Sequence, residues 1–128
     1  MRTVHYRLLA ALWTIGIIVA VTVPTGRLPE PQPTAGIDKL VHVVLFMGFG
    51  ILWLRGLCPP GSPELSTGVP RRSIFFFLAG TLFAVGTEVY QHLVLVGRTG
   101  DPYDAAADLL GLLMALGSYH AYHGRWTE

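Results

Sequence analysis

The residues able to do chemistry in this chain are few, and they are grouped. Between Glu88 and Gly111, EVYQHLVLVGRTGDPYDAAADLLG, the sequence holds four of the protein's eight acidic residues. Glu88, Gln91 and His92 stand at i, i+3 and i+4 near the end of one apolar run, and Asp104 and Asp108 at i, i+4 near the start of the next. Such spacings put each group on one face of a helix. Gly97 and Arg98 lie in the connection between the runs. A third group, Asp38, Lys39 and His42, opens an earlier apolar run, with Asp38 and His42 again one turn apart. These side chains can move protons, hold a cation or clamp an anionic group, and near hydrocarbon they are costly unless they face one another or a ligand.

Each group has a chemical reading and a plainer one. Glu88 lies eight residues before Val96, about 12 Å along a helix, so it needs a proton or a cationic partner, with Arg98, Lys39 and His92 at hand. Glu88 and His42 are the candidate acid and base; the plainer reading of His42 is a structural histidine bonded to Asp38. Asp38, Lys39, Gln91, Arg98, Asp104 and Asp108 are the candidate ligand-binding residues. Arg98 and Lys39 suit an anionic headgroup such as phosphate, arginine through its planar fork, although basic residues at an interface also serve as snorkelling anchors. Asp104 sits where a helix N-terminus favours negative charge, and Asp108 is one turn deeper. Oxygen and imidazole ligands for a divalent cation are present, yet no HExxH-type spacing fixes a metal site, and no cofactor is specified. A polar network that only fixes helix packing is the alternative to all of these roles.

Composition sets the surroundings. The 128 residues are 52% hydrophobic and 13% charged, where soluble domains carry about a quarter charged residues. One integral membrane domain is expected. A net charge of +1, with basic residues scattered rather than interleaved with aromatics, argues against a nucleic-acid partner. The single Cys58 forms no internal disulfide, and neither CxxC nor Cys/His zinc spacing occurs.

Four apolar runs predict an all-α integral membrane four-helix bundle with short loops, its spans at about 7–24, 37–57, 73–96 and 103–122. The first follows Arg2 and Arg7, as in a signal peptide, but it is long for that role and no small-x-small cleavage site follows, so a retained helix is expected. RLPEPQPTAG (27–36), CPPGSPELSTGVPRR (58–72) and the turn 97–102 read as connections. In the third run Gly80, Ala84, Glu88 and Gln91 form one stripe, and in the fourth Asp104, Asp108, Gly111, Ala115 and Ser118 form another; both should face neighbouring helices. A soluble bundle would need a polar face on each helix, which the first run lacks. No internal repeat is found.

Four spans place both termini on one side. That side holds Arg2, Arg7, Arg55, Arg71, Arg72 and Arg125, the other Arg27, Lys39 and Arg98, so both termini are expected in the cytoplasm, with the chain multi-pass in the inner (cytoplasmic) membrane. The three polar groups then meet at the extracytoplasmic face, where Asp101 joins them. Tyr6, Trp53, Tyr119, Tyr122 and Trp126 fall near the inner boundary and Tyr103 near the outer one; Trp13, within the first span, breaks the pattern.

Asp38-Lys39-x-x-His42, Glu88-x-x-Gln91, Gly97-Arg98 and Asp104-x-x-x-Asp108-x-x-Gly111, in that order over about residues 37–117, resemble the VanZ-like family of small membrane proteins. The family's pattern often has Asn where this chain has Asp108. The resemblance implies a cell-envelope protein whose named member is linked to resistance to the glycopeptide teicoplanin; it implies no reaction. With the polar outer pocket it gives three expectations. The first is binding of a membrane lipid, a lipid-linked wall precursor or a glycopeptide antibiotic. The second is an enzyme acting on such a molecule, and the third a structural network without a ligand.

Overall fold

A computed structural model of the chain describes residues 3–23, 35–62, 69–94 and 100–124. The sequence expectations for Gly97 and Arg98, for the loop residues 24–34 and 63–68, and for Trp126 lie outside them. Four helices follow in order: α1 (Thr3–Thr22), α2 (Ala35–Leu57), α3 (Arg71–Val94) and α4 (Pro102–Gly124). At 20 to 24 residues each is about 30 to 36 Å long, the thickness of a bilayer core. α1, α2 and α3 are both long and apolar enough to cross a membrane. α4 has the length, but Asp104, Asp108, His120 and His123 dilute its apolar character.

Helix boundaries follow local chemistry. Asp101 caps α4: its Oδ1 accepts the Tyr103 amide at 2.8 Å, and Pro102 occupies the first helical position, where a missing N–H costs nothing. α4 therefore starts one residue before the expected Tyr103. Pro70 plays a similar part at α3, its carbonyl accepting the amides of Ser73 and Ile74. Pro59, Pro60 and Gly61, the last with φ of 82°, turn the chain after α2.

The helices run up and down in alternation. Arg7 of α1 meets Gly56 at the far end of α2, Lys39 and Gly50 of α2 meet Asp104 and Ala115 of α4 in register, and Gly80 of α3 packs on Leu112. α2 and α4 share the largest interface, and α1 leans chiefly on α2. Small residues make the α2–α4 seam tight: a Cβ on Gly111 would lie 2.5 Å from the Val43 carbonyl oxygen and 2.9 Å from the Met47 nitrogen, and one on Gly50 would lie 2.5 Å from the Ala115 Cβ. Backbone thus meets backbone, as small-residue stripes allow between membrane helices. Mid-bundle, Phe46, Phe49, Phe76 and Phe83 pack in tilted and stacked pairs with centroids 5.5 to 5.8 Å apart, joined by Ile17, Ala84 and Leu112.

Outward faces are apolar along the length of the bundle. Leu12, Phe75, Leu82 and Leu93 are among many large hydrophobic side chains left exposed. Surfaces of this kind are stable in lipid and not in water, so the chain is a membrane protein.

Candidate functional site

The turn into α4 and the ends of α2 and α3 meet at one end of the bundle. Geometry there starts from the Gly111 seam, which holds α4 against α2 and brings Asp108, one turn earlier, to His42. The His42 Nδ1 and Asp108 Oδ1 are 2.8 Å apart, and Asp108 is fully buried. The other ring nitrogen, Nε2, faces Asp104 Oδ2 at 3.8 Å. The expected structural partner of His42, Asp38, is exposed and makes no such bond. The reason is the seam, because helix-to-helix approach delivers a carboxylate from α4 more closely than the i, i−4 neighbour on α2 can.

Lys39 is held between two acids. Its Nζ donates to Asp101 Oδ2 at 3.0 Å and to Asp104 Oδ1 at 2.8 Å, and it lies over the Tyr103 ring. A phosphate at this ammonium would have to displace two carboxylates, so the structure lends no support to Lys39 as an anion clamp. Asp101, in the turn, has its carboxyl held below the ordinary aspartate range by the Tyr103 amide first and by Lys39 second.

Glu88 is 7% exposed, and its Oε2 accepts the Asp101 amide at 3.0 Å. Close contact makes that bond: a Cβ on Gly100 would lie 2.5 Å from the Glu88 carbonyl oxygen, so only glycine lets the turn press on α3. Of the cations expected to serve Glu88, Lys39 pairs elsewhere, Arg98 lies outside the described residues, and His92 is exposed. A helical advance of about 100° per residue puts His92 about 40° beyond Glu88, off the stripe of Gly80, Ala84 and Gln91. That stripe is buried throughout. On α4 Asp108, Gly111 and Ala115 are buried while Ser118 is exposed.

A cavity of about 120 Å³ opens beside these groups, lined by Asp38, His42, Gln91 and Asp108 and by apolar residues that include Ile17, Val21, Leu45 and Phe46. Gln91 is 5% exposed and its Nε2 approaches the Val21 carbonyl at 3.5 Å. Asp108 Oδ2 is enclosed with no hydrogen-bond partner among the described residues. Among the described residues, two trios have ligand atoms within 4.8 Å of one another, Asp38/His42/Asp104 at the rim and His42/Glu88/Asp108 inside.

Sequence reasoning kept Asp101 out of the ligand-binding set and gave α1 no part. The Asp101-Pro102 pair ahead of an apolar run is a capping signature that identifies the first. Nothing in α1 marks the second, since Ile17 and Val21 are ordinary apolar residues. Trp13, the aromatic out of place, donates its indole N–H to the Leu45 carbonyl at 2.9 Å and packs against Gly48, where a Cβ would lie 2.9 Å from its ring. Compared with described protein families, with curated proteins and with solved structures, the chain matches none.

Proposed function

We propose that this chain is a VanZ-like cell-envelope membrane protein that holds the polar group of an amphipathic envelope molecule, drawn from lipids, lipid-linked wall precursors and lipophilic glycopeptides such as teicoplanin, in an outward-facing pocket. One observation carries the reading. The polar cavity shares Val21 and Thr87 with an apolar groove of about 500 Å³ between α1 and α3, lined also by Ile18, Leu82, Phe83, Gly86 and Tyr90. A small polar head beside a long apolar slot is the shape of an amphipath. The cavity's 120 Å³ takes a few heavy atoms and no more, so only a terminal group of a large ligand enters it. Carboxylates around it favour a hydrogen-bond donor or an amine over a phosphate.

Gly86 provides the test, because a Cβ there meets nothing within 4 Å. Gly86→Leu fills the groove without crowding the helices. Fluorescent teicoplanin and a lipid-linked precursor, each titrated against purified protein in nanodiscs, are expected to bind wild type at least about tenfold more tightly than Gly86→Leu. Equal binding to both proteins, or binding to neither, sinks the reading.

A second reading, an enzyme on the same class of molecule, draws on the His42–Asp108 pair, since a carboxylate on one ring nitrogen orients the other for proton transfer. Turnover of lipid-linked precursors that disappears in His42→Gln and Glu88→Gln would establish it.

The proposed topology, α4 as the fourth span with both termini in the cytoplasm of an inner-membrane protein, agrees with Arg7, Arg55, Arg71 and Arg72 gathering at the end opposite the carboxylates. Single cysteines at Gly36 and Ser66 in a Cys58→Ser background check it. Labelling of the Gly36 site only from the cytoplasm would reverse the assignment.

A further inference from the structure

The geometry points to a divalent transition-metal site, of the Zn²⁺ or Mn²⁺ class, formed by His42, Glu88 and Asp108. It goes beyond the pocket reading: it concerns the same end of the bundle, stands on its own geometry, and adds an ion that the pocket reading does not require.

Three independent observations lead there. A ring nitrogen of His42 and one oxygen each of Glu88 and Asp108 already lie within 4.8 Å of one another. Ligand atoms around an ion with bonds of about 2.1 Å stand about 3.4 Å apart in tetrahedral geometry, so closing the trio takes about 1 Å of side-chain movement. Next, Asp108 is fully buried and its Oδ2 is enclosed without a partner. A proton on that oxygen would have no acceptor to donate to, whereas a cation satisfies it directly. Last, two buried carboxyl groups face one imidazole, so at least one of them must hold a proton or meet a further cation. A water would satisfy the orphan oxygen and a proton would remove the excess charge; a dication does both at once.

The ligand set names the class. One imidazole with two carboxylates suits Zn²⁺, Mn²⁺ or Fe²⁺ better than Ca²⁺ or Mg²⁺, which favour all-oxygen shells. Glu88 is steadied by the Asp101 amide on its Oε2, the kind of outer contact that orients a ligating carboxylate. The rim trio is the poorer site. Its Asp104 is bonded to the Lys39 ammonium at 2.8 Å and its Asp38 is exposed, so a dication there would sit beside a fixed positive charge.

Full-length protein carrying no polyhistidine tag is purified in detergent, stripped with a chelator and titrated with Zn²⁺ or Mn²⁺, the bound ion being measured by mass spectrometry of the metal. About one ion per chain is expected, with affinity at least about tenfold weaker in Glu88→Gln and Asp108→Asn and weakened less than in either of these in Asp38→Asn. Absence of binding above a detergent blank overturns the inference, as do equal affinity in Glu88→Gln and loss confined to Asp38→Asn. Should a variant fail to fold, X-ray absorption on the wild type decides: a shell of one nitrogen with oxygens at about 2.1 Å supports the site, and any sulfur in the shell or an all-oxygen shell refutes it. Ion binding without teicoplanin or precursor binding keeps this inference and removes the pocket reading, while ligand capture by metal-free protein that takes up no ion removes this inference alone.

Discussion

The two ends of the bundle use polar residues in opposite ways. At the end with the N-terminus of α1 and the last turn of α4, Arg7, Arg55 and Tyr119 each donate to a defined acceptor. Arg7 Nε donates to the Gly56 carbonyl at 2.8 Å, Arg55 donates to the Tyr6 hydroxyl at 3.0 Å and lies over its ring, and the Tyr119 hydroxyl donates to the Cys58 carbonyl. The Gly56 and Cys58 carbonyls at the C-terminal end of α2 thereby gain partners, as helix C-termini require, and the buried His120 Nε2 is the one side-chain polar atom left over there among the described residues. At the other end Asp38, Glu88, Asp101, Asp104 and Asp108 crowd around Lys39 and His42, and one buried oxygen is left over. One end spends its polar groups on stability; the other carries charge that stability does not ask for, which is how binding sites differ from caps.

Substitutions can break that contrast or sharpen it. The largest effect is expected from Gly111→Val, whose side chain must enter the α2 backbone at Val43 and Met47. A loss of about 1 to 3 kcal/mol of stability together with disruption of the His42–Asp108 pair should be read by unfolding in denaturant and by histidine NMR, and wild-type values in both would show that the seam does not position the site. Tyr119→Phe should cost about 1 kcal/mol at the capped end; no change there would remove the claim that this end is built for stability.

Asp108→Asn is the counterpart at the acidic end. Measured with a chelator present, its stability should stay within about 1 kcal/mol of wild type, because the amide keeps an oxygen for His42 while a buried carboxyl group is removed. A loss as large as that of Gly111→Val would make the carboxylate a structural element and equalise the two ends. The smallest effect comes from pH. Asp101's carboxyl is held below its unfolded value, so its contribution is present above the ordinary carboxylate range and lost as pH falls through its own lower value. Thermal midpoints of wild type and Asp101→Asn should therefore converge in that acidic window and differ above it, whereas a constant difference at every pH would deny the pairing with Lys39 and the Tyr103 amide.

What sequence alone could teach differs between these regions for a physical reason. The helices, their order and the buried stripe of Gly80, Ala84, Glu88 and Gln91 were legible because helical periodicity and hydropathy are local properties. So was the convergence of Asp38, Lys39, His42, Glu88, Asp104 and Asp108 on one end, which needs only the alternation of helix direction. Pairing within that cluster was not legible. Whether His42 takes Asp38 or Asp108 depends on how closely two helices approach at Gly111, and whether Lys39 remains available to a ligand depends on the rotation of α4 that presents Asp104. His92 was misjudged by about 40° of helical rotation, enough to turn a side chain from the interior to lipid. The role of α1 was invisible, since a cavity wall needs only bulk.

The ion pairs between Lys39 and Asp101 and Asp104, and the contact of His42 with Asp108, link the α1–α2 half of the chain to the α3–α4 half. During synthesis the first half emerges before the second. Lys39 and His42 are thus made before the three aspartates that they contact. The order of residues along the chain therefore sets the order in which the two halves of this network become available to one another.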